Sequence, residues 1–347
     1  MKSRLIARSV ISVVVLVLSL HLAVFAEDQP KPLPTENFYN QSLHFTNRGI
    51  AHVYSKEAGG LERLTGISIA SLGCMKAECH VQSCDVCHAK EIDGKQSYVC
   101  DKATAQAACD RCHPIDKEDP DIHTRKRMVC LDCHSAHDVH GDGTPYKSLS
   151  EPGVVETTCE KCHATLSEIA AHTVHQGKLD CIACHTANFV TCFNCHIDSR
   201  LKKDKVGAFQ VKDMLFLINR GGKVSTGNVL TYVYGNRTMV TVAPSFSHSI
   251  KKEGRVCADC HNTKIARDIK ADRFKPLRWV KDTMQNIAGV VPIVDGMKWD
   301  LVWLTRENDK WTPLKKPETP MFNASATCTP LTKEQLEKLL KPQGVRK

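Results

Sequence analysis

The stretch HTRKRMVCLDCHSAHDVH, residues 123–140, contains the arrangement that decides how this chain is organised. Two cysteines separated by two residues, Cys130 and Cys133, are followed at once by His134. One further histidine precedes this group and two more follow it closely. The same pattern of thiols and imidazoles recurs along the chain, so it is the main indication of the class of protein.

The pattern Cys-x-x-Cys-His occurs seven times, and an eighth copy has four residues between its cysteines instead of two. These copies use sixteen of the eighteen cysteines, namely Cys74, Cys79, Cys84, Cys87, Cys109, Cys112, Cys130, Cys133, Cys159, Cys162, Cys181, Cys184, Cys192, Cys195, Cys257 and Cys260. The histidines that follow the second cysteines are His80, His88, His113, His134, His163, His185, His196 and His261. We call these eight groups the motifs and their histidines the motif histidines.

The chemistry of haem c requires this spacing, because two thiols add to the two vinyl groups of one haem and the adjacent histidine ligates the iron. Paired cysteines also form zinc sites, but a zinc site does not need a histidine directly after the second cysteine. In an exported protein so many cysteines could also indicate a disulfide framework. Since every pair is followed by histidine, we predict eight covalently attached haems.

On these motifs the chain resembles the multihaem c-type cytochromes of the octahaem size class. The four-residue spacer between Cys74 and Cys79 is similar to the variant spacing of tetrahaem cytochromes c3. The resemblance covers residues 74–261 and does not extend over residues 262–347. It implies a protein that moves electrons through its haems.

The second axial position of each iron decides whether a haem carries electrons or binds a substrate. Of the seventeen histidines, eight belong to the motifs and His21 lies in the apolar N-terminal segment. The other eight, the candidate distal ligands, are His44, His52, His123, His137, His140, His172, His175 and His248. Two histidines on every iron are therefore possible with none to spare.

The positions of these histidines favour ligation of neighbouring haems. His123, His175 and His248 each lie shortly before a motif, and His137 and His140 follow one motif too closely to ligate its own iron. Their spacing therefore directs them to adjacent haems. If one of the eight is only structural, one haem is open or takes a lysine, methionine or cysteine instead.

The N-terminus predicts export. Basic residues Lys2, Arg4 and Arg8 precede an apolar stretch over residues 10–24, and small Ala26 follows. This order is typical of a cleaved secretory signal peptide, and the apolar stretch is shorter than the roughly 20 residues of a membrane span. An uncleaved anchor is the alternative, and both place the remaining chain in the periplasm or outside the cell.

The formal net charge of +9 is spread along the chain and shows no basic-aromatic pattern, so we expect no nucleic acid partner. Lysine-rich faces suit acidic redox partners. The expected partners are a membrane quinol oxidase complex or other cytochromes, and self-association into a complex or filament is open.

The predicted fold is mostly irregular, with short α-helices around a closely packed haem core, a minor antiparallel β insertion and a β-rich C-terminal region. The predicted segments are a signal peptide at 1–26, an N-terminal strap with distal histidines at 27–73, an octahaem core at 74–261 with the β insertion at about 207–243, and a non-haem region at 262–347. Within the last, Thr332 is expected to cap a terminal helix.

Two cysteines, Cys100 and Cys328, belong to no motif. A disulfide between them is one expectation in an oxidising compartment, and free thiols or iron ligation are the others.

Two functions remain open from the sequence. The first is an electron carrier in anaerobic or extracellular respiration, with two histidines on every haem. The second is an octahaem reductase or oxidoreductase that acts on a nitrogen or sulfur oxyanion or on hydroxylamine at one open haem. The chain lacks a Cys-x-x-Cys-Lys motif and no tyrosine stands out as a cross-linking group, which favours the carrier.

Overall fold

The computed structural model describes residues 39–71, 81–113, 121–187, 189–198, 207–307, 310–324 and 328–342. The predicted signal peptide at 1–26 and the first motif, with Cys74, Cys79 and His80, lie outside these residues. Among the described helices, none has the length and apolar character required to cross a membrane.

Short helices carry most of the motif-bearing part. The α-helices are α1 Leu43–Thr46, α2 Arg48–Tyr54, α3 Leu61–Thr65, α4 Asp85–His88, α5 Lys102–Cys112, α6 Ile122–Arg125, α7 Cys130–Cys133, α8 Ala136–His140, α9 Ala170–Thr173, α10 Cys181–His185, α11 Cys257–Cys260, α12 Lys264–Lys270 and α13 Lys333–Leu340, with 3₁₀ turns at Tyr39–Gln41 and Cys159–Lys161. Thr332 caps α13 through a capping box with Gln335, so the predicted terminal helix is confirmed.

The strands are β1 Ala89–Ile92, β2 Lys95–Tyr98, β3 Phe189–Phe193, β4 Cys195–His196, β5 Phe209–Arg220, β6 Lys223–Tyr234, β7 Arg237–Pro244, β8 Leu277–Val280, β9 Thr283–Asn286, β10 Gly289–Pro292, β11 Leu304–Glu307, β12 Lys310–Pro313, β13 Met321–Ala324 and β14 Cys328–Thr329. Eight of them form one mixed sheet, in the order β10-β5-β6-β7-β13, with β3 and β14 also paired to β5 and β4 paired to β6. The remaining strands form two-stranded hairpins.

Strands β5, β6 and β7 form an antiparallel meander, as the alternation over residues 207–243 predicts. Gly221 and Gly222 both have positive φ and form the two-residue turn between β5 and β6. Glycine is favoured there because both central positions of such a turn require positive φ. The C-terminal strands β10 and β13 then add in parallel to β5 and β7.

The sheet is buried on both faces at its centre. Met214 to Ile218 of β5 form a continuous buried run, and Val291 and Ile293 from the C-terminal part pack into the same cluster. A second cluster joins Leu64 of α3 to Met239 of β7, so the strap is fixed to the sheet. A run of apolar residues without polar alternation is typical of strands covered on both sides.

The predicted fold class is wrong. Strands were expected only as a minor insertion and a separate C-terminal region, around a mostly irregular molecule. The structure instead has an eight-stranded mixed sheet that draws strands from both regions and from the motif at residues 192–196. The expectation failed because strand alternation reports local burial and does not reveal that distant strands share one sheet.

The motif-bearing part contrasts with the sheet in its packing. Among the described residues from 81 to 182, Val154 is the one apolar side chain that is buried. A segment of this length needs a buried apolar interior to offset its conformational entropy. The side chains of this segment do not supply it.

A substitution pair tests the sheet core. Phe216 is fully buried in β5, whereas Phe322 in β13 is 41% exposed. Phe216→Ala is expected to lower the free energy of unfolding by about 3–5 kcal/mol because it leaves a cavity. Phe322→Ala is expected to change it by about 0.5 kcal/mol or less.

Guanidinium denaturation followed by far-ultraviolet circular dichroism measures both variants. Equal effects of the two substitutions would contradict this description of the core.

Candidate haem-binding sites

Six motifs share one backbone conformation, a helical turn that places the histidine over the first cysteine. In five of them the histidine amide donates to the carbonyl of that cysteine, at 2.8–2.9 Å. These bonds join His88 to Cys84, His113 to Cys109, His134 to Cys130, His163 to Cys159 and His261 to Cys257. The sixth motif is itself the helix Cys181–His185. The turn brings both thiols and the imidazole to one side of the backbone.

Each motif histidine of these six faces a histidine from elsewhere in the chain. The ring centroids are 6.1–6.3 Å apart in every pair. The pairs are His113 with His44, His88 with His140, His163 with His123, His134 with His248, His185 with His172, and His261 with His175. Every pair joins one motif histidine to one candidate distal ligand.

The spacing of the pairs fits a metal between the rings. A transition metal binds a histidine nitrogen at about 2 Å, and that nitrogen lies roughly 1 Å from the ring centroid, so two rings on opposite sides of one metal have centroids about 6 Å apart. Chance contacts between aromatic rings would spread over a wider range of distances and would also join two motif histidines.

Hydrogen bonds fix the orientation of most of these rings. The Nδ1 atom of motif histidines His88, His185 and His261 lies 3.0–3.1 Å from the carbonyl oxygens of Val99, Lys251 and Lys338 respectively. Nδ1 of distal His44 and His172 lies 3.2 and 3.0 Å from the carbonyls of Val139 and Ser167. An Nδ1–H donated to a carbonyl leaves the Nε2 lone pair free for a metal.

Two carboxylates also accept hydrogen bonds from histidine Nδ1 atoms. They were not predicted from the sequence. Asp121 is buried and accepts from Nδ1 of His123 at 2.7 Å, while Asp138 lies 3.1 Å from Nδ1 of His134. Burial opposes ionisation of Asp138, but hydrogen bonds from Thr157, the Glu156 amide and His134 lower its pKa overall. The signal was present, since each aspartate lies within four residues of its histidine.

Not every predicted ligand is paired. His52 has no histidine ring facing it among the described residues, and its potential partner His80 lies outside them. His137 lies 3.7 Å from Asp142 through Nε2 and faces no motif histidine in the described part of the chain. His172 and His175 lie three residues apart but belong to different sites, because they face His185 and His261.

Successive motifs are joined directly, in chain order. The Arg111 guanidinium donates to the Val86 carbonyl, which links the first two described motifs. The Cys130 amide donates to Gln106 at 2.8 Å, and the Thr157 hydroxyl donates to the Cys133 carbonyl at 2.6 Å. Each bond holds one motif against the next.

The thiols of successive motifs also meet. Cys159 and Cys181 form a thiol hydrogen bond, which raises the pKa of Cys159. Burial and the neighbouring Cys130 thiol raise the pKa of Cys109, and burial and Cys162 raise that of Cys133. Because thiols of this kind would bond to the vinyl groups of haem c, haems held at successive motifs would have neighbouring edges.

The Arg255 amide donates to the Cys184 carbonyl at 3.0 Å and completes the series. We call this series of six motifs, from residues 84–88 to residues 257–261, the motif ladder.

The two remaining cysteines are not joined. Cys100 is an exposed thiol with its sulfur 3.7 Å from Nδ1 of His88, and Cys328 is buried in β14 with its sulfur 3.7 Å from the Val242 carbonyl oxygen. A disulfide between them is therefore not formed in this structure.

Comparison with known protein families, with curated proteins and with solved structures gave no match for this chain.

The contact between Asp121 and His123 predicts an effect on haem midpoint potentials. In a protein with haem iron bound to His123, Asp121→Asn would remove a negative charge beside Nδ1 of His123, so His123 would become a weaker donor and the ferric state would be less stabilised. We expect the midpoint potential of one haem to rise.

Potentiometric titration followed by visible absorption measures this shift. Asp101→Asn is the matched control, because Asp101 caps α5 and contacts no paired histidine in the described structure. A rise of equal size in both variants would contradict the role of Asp121.

Proposed function

We propose that this chain is an exported multihaem c-type cytochrome that carries electrons along a row of haems. The observation that carries the proposal is the set of six histidine pairs with ring centroids 6.1–6.3 Å apart. In each pair the motif histidine comes with two thiols on the same helical turn. This donor set is that of haem c with two axial histidines.

The lack of an apolar interior supports the same group. Between residues 81 and 182 the described side chains bury only Val154 as an apolar residue, yet the segment holds four of the motifs in a defined arrangement. A porphyrin is a large, flat apolar body and would supply the missing buried surface. Bound haem contributes an iron that alternates between two oxidation states.

The protein's own residues then perform three tasks. The helical turns orient the thiols, the Nδ1 hydrogen bonds hold the ring planes, and the bonds between motifs set the distances from one site to the next. Because the motif ladder follows chain order, electrons would enter near residues 84–88 and leave near residues 257–261, or the reverse.

Filled axial positions support a carrier over a catalyst. A reductase needs an open iron for its substrate, and each of the six paired sites offers a histidine on both sides. The alternative is a reductase of a nitrogen or sulfur oxyanion or of hydroxylamine. Electron paramagnetic resonance distinguishes it from the carrier. Redox partner proteins in the periplasm or outside the cell are the partners we propose.

Electron paramagnetic resonance of the ferric protein tests the carrier against the reductase. Two histidines on each iron should give low-spin signals alone, and the ferrous protein should not bind carbon monoxide. A high-spin signal from one iron per chain in the wild-type protein, together with carbon monoxide binding, would favour the reductase.

His248→Ala should create one high-spin iron per chain. Ser249→Ala, at the next residue, should leave the spectrum low-spin.

Cys100 allows a test of transport along the motif ladder. A thiol-reactive photosensitiser on this exposed residue would inject an electron beside His88, and His175→Met would give the terminal haem at His261 a distinct spectrum. We expect transient absorption to record arrival of the electron at that terminal haem.

Cys159→Ser together with Cys162→Ser removes a haem from the middle of the ladder and should abolish this arrival. Cys100→Ser should abolish injection itself. Undiminished arrival without the middle haem would contradict the proposed path.

A further inference from the structure

The motif at residues 192–196, CFNCH, does not have the conformation of the other described motifs. Cys192 lies in strand β3 and pairs with Gln210, and Cys195 lies in β4 and pairs with Tyr232. Asn194 between them adopts a left-handed conformation with φ of 54°. The amide of His196 donates to the Gly207 carbonyl at 2.6 Å, and not to Cys192. The helical turn that collects two thiols and an imidazole on one side is absent here.

The two residues between these cysteines are part of the sheet interior. Phe193 and Asn194 are fully buried, and the Asn194 amide donates to the Thr231 hydroxyl at 2.7 Å. The side chain of Asn194 donates to the Val302 carbonyl at 3.0 Å and accepts from the Leu304 amide at 3.0 Å. Asn194 thus bonds to three strands or loops at once, and a porphyrin at this motif would have to displace them.

The imidazole of His196 is oriented so that its Nε2 atom cannot bind iron. Its Nε2 lies 2.7 Å from the Leu304 carbonyl oxygen, and the ring is 4% exposed. A carbonyl only accepts hydrogen bonds, so Nε2 carries the hydrogen and has no lone pair for iron. In His88, His185 and His261 the Nδ1 atom makes the corresponding bond instead.

In the described part of the chain, His196 also has no second axial ligand beside it. Its ring faces Trp311, with centroids 5.0 Å apart, and none of the described histidines faces it. The motif ladder passes over this motif, since the Arg255 amide near the last motif bonds directly to Cys184. Residues 192–196 are therefore outside both the set of ring pairs and the row of adjoining sites.

We propose that Cys192, Cys195 and His196 carry no haem and that this motif instead fastens residues 302–304 to the sheet. The inference rests on the proposed function, in which the remaining motifs bind haem. It reduces the expected number of haems from eight to seven. In this proposal the two cysteines remain thiols and form no thioether bonds to haem.

With seven haems, one of the eight candidate distal histidines is left without an iron. Six of the eight candidates face motif histidines, which leaves His52 and His137. Only the motif that ends at His80 then still needs a distal ligand. One of these two histidines is consequently free of a haem.

Peptide mass spectrometry of the purified holoprotein provides the direct test. The protein is denatured, reduced and alkylated before proteolysis. The peptide with residues 192–196 is expected to carry alkyl groups on Cys192 and Cys195, while peptides from the six paired motifs retain haem. A haem on the 192–196 peptide would overturn the inference.

The same experiment separates the inference from the proposed function. Seven haems by intact mass, with alkylated Cys192 and Cys195, support both. Haem on all eight motifs leaves the electron carrier standing and overturns only the inference. A chain without haem at the six paired motifs would overturn the proposed function itself.

Matched variants extend the test to the fastening role. Cys192→Ser with Cys195→Ser should leave the haem number unchanged, whereas Cys181→Ser with Cys184→Ser should lower it by one. His196→Gln should lower the denaturation midpoint without changing the haem spectrum, and His185→Gln should change the spectrum. A spectral change in His196→Gln would contradict the role given to His196.

Discussion

The motif-bearing part of this protein depends on pairs of imidazole rings that face each other, with ring centroids about 6 Å apart. That part has almost no apolar interior of its own, so its chain segments are held by hydrogen bonds, by ring pairs and, in our proposal, by the porphyrins between them. Each ring pair joins segments that are distant in the sequence. Its geometry is in turn maintained by acceptors at Nδ1, which come from backbone carbonyls and from Asp121 and Asp138.

The eight-stranded sheet is stabilised differently, by continuous apolar burial along β5 and its neighbours. The two parts meet where α10 and the segment that leads into α11 run beside the sheet. Lys178 and Asp180 exchange backbone hydrogen bonds with Val224 at the start of β6, which fixes the motif at residues 181–185 to a rigid support. A rigid support matters for an electron carrier, because the distances between sites must stay constant while charge passes.

Much of the site was predictable from local patterns, and its assembly was not. The motif positions and the set of distal histidines follow from spacing, since haem attachment is encoded within five consecutive residues. The partners are set by tertiary structure: His248 lies shortly before one motif and faces His134 instead.

The motif at 192–196 shows the limit most clearly. By pattern it equals the others, but the residues that lead into it, FVTCF at 189–193, have the β-branched and aromatic character of a strand. The same limit explains the error in fold class, because each strand was visible locally while the shared sheet was not.

The pairing of His134 with His248 has a consequence for the order of assembly. In the exported cytochrome that we propose, the chain would emerge from its N-terminus, so the thiols at Cys130 and Cys133 would appear well before residue 248. A haem attached there would have one axial histidine until the whole meander of β5, β6 and β7 had emerged and folded. In this proposal, a haem at His134 would gain its second histidine only after strands β5, β6 and β7 had emerged.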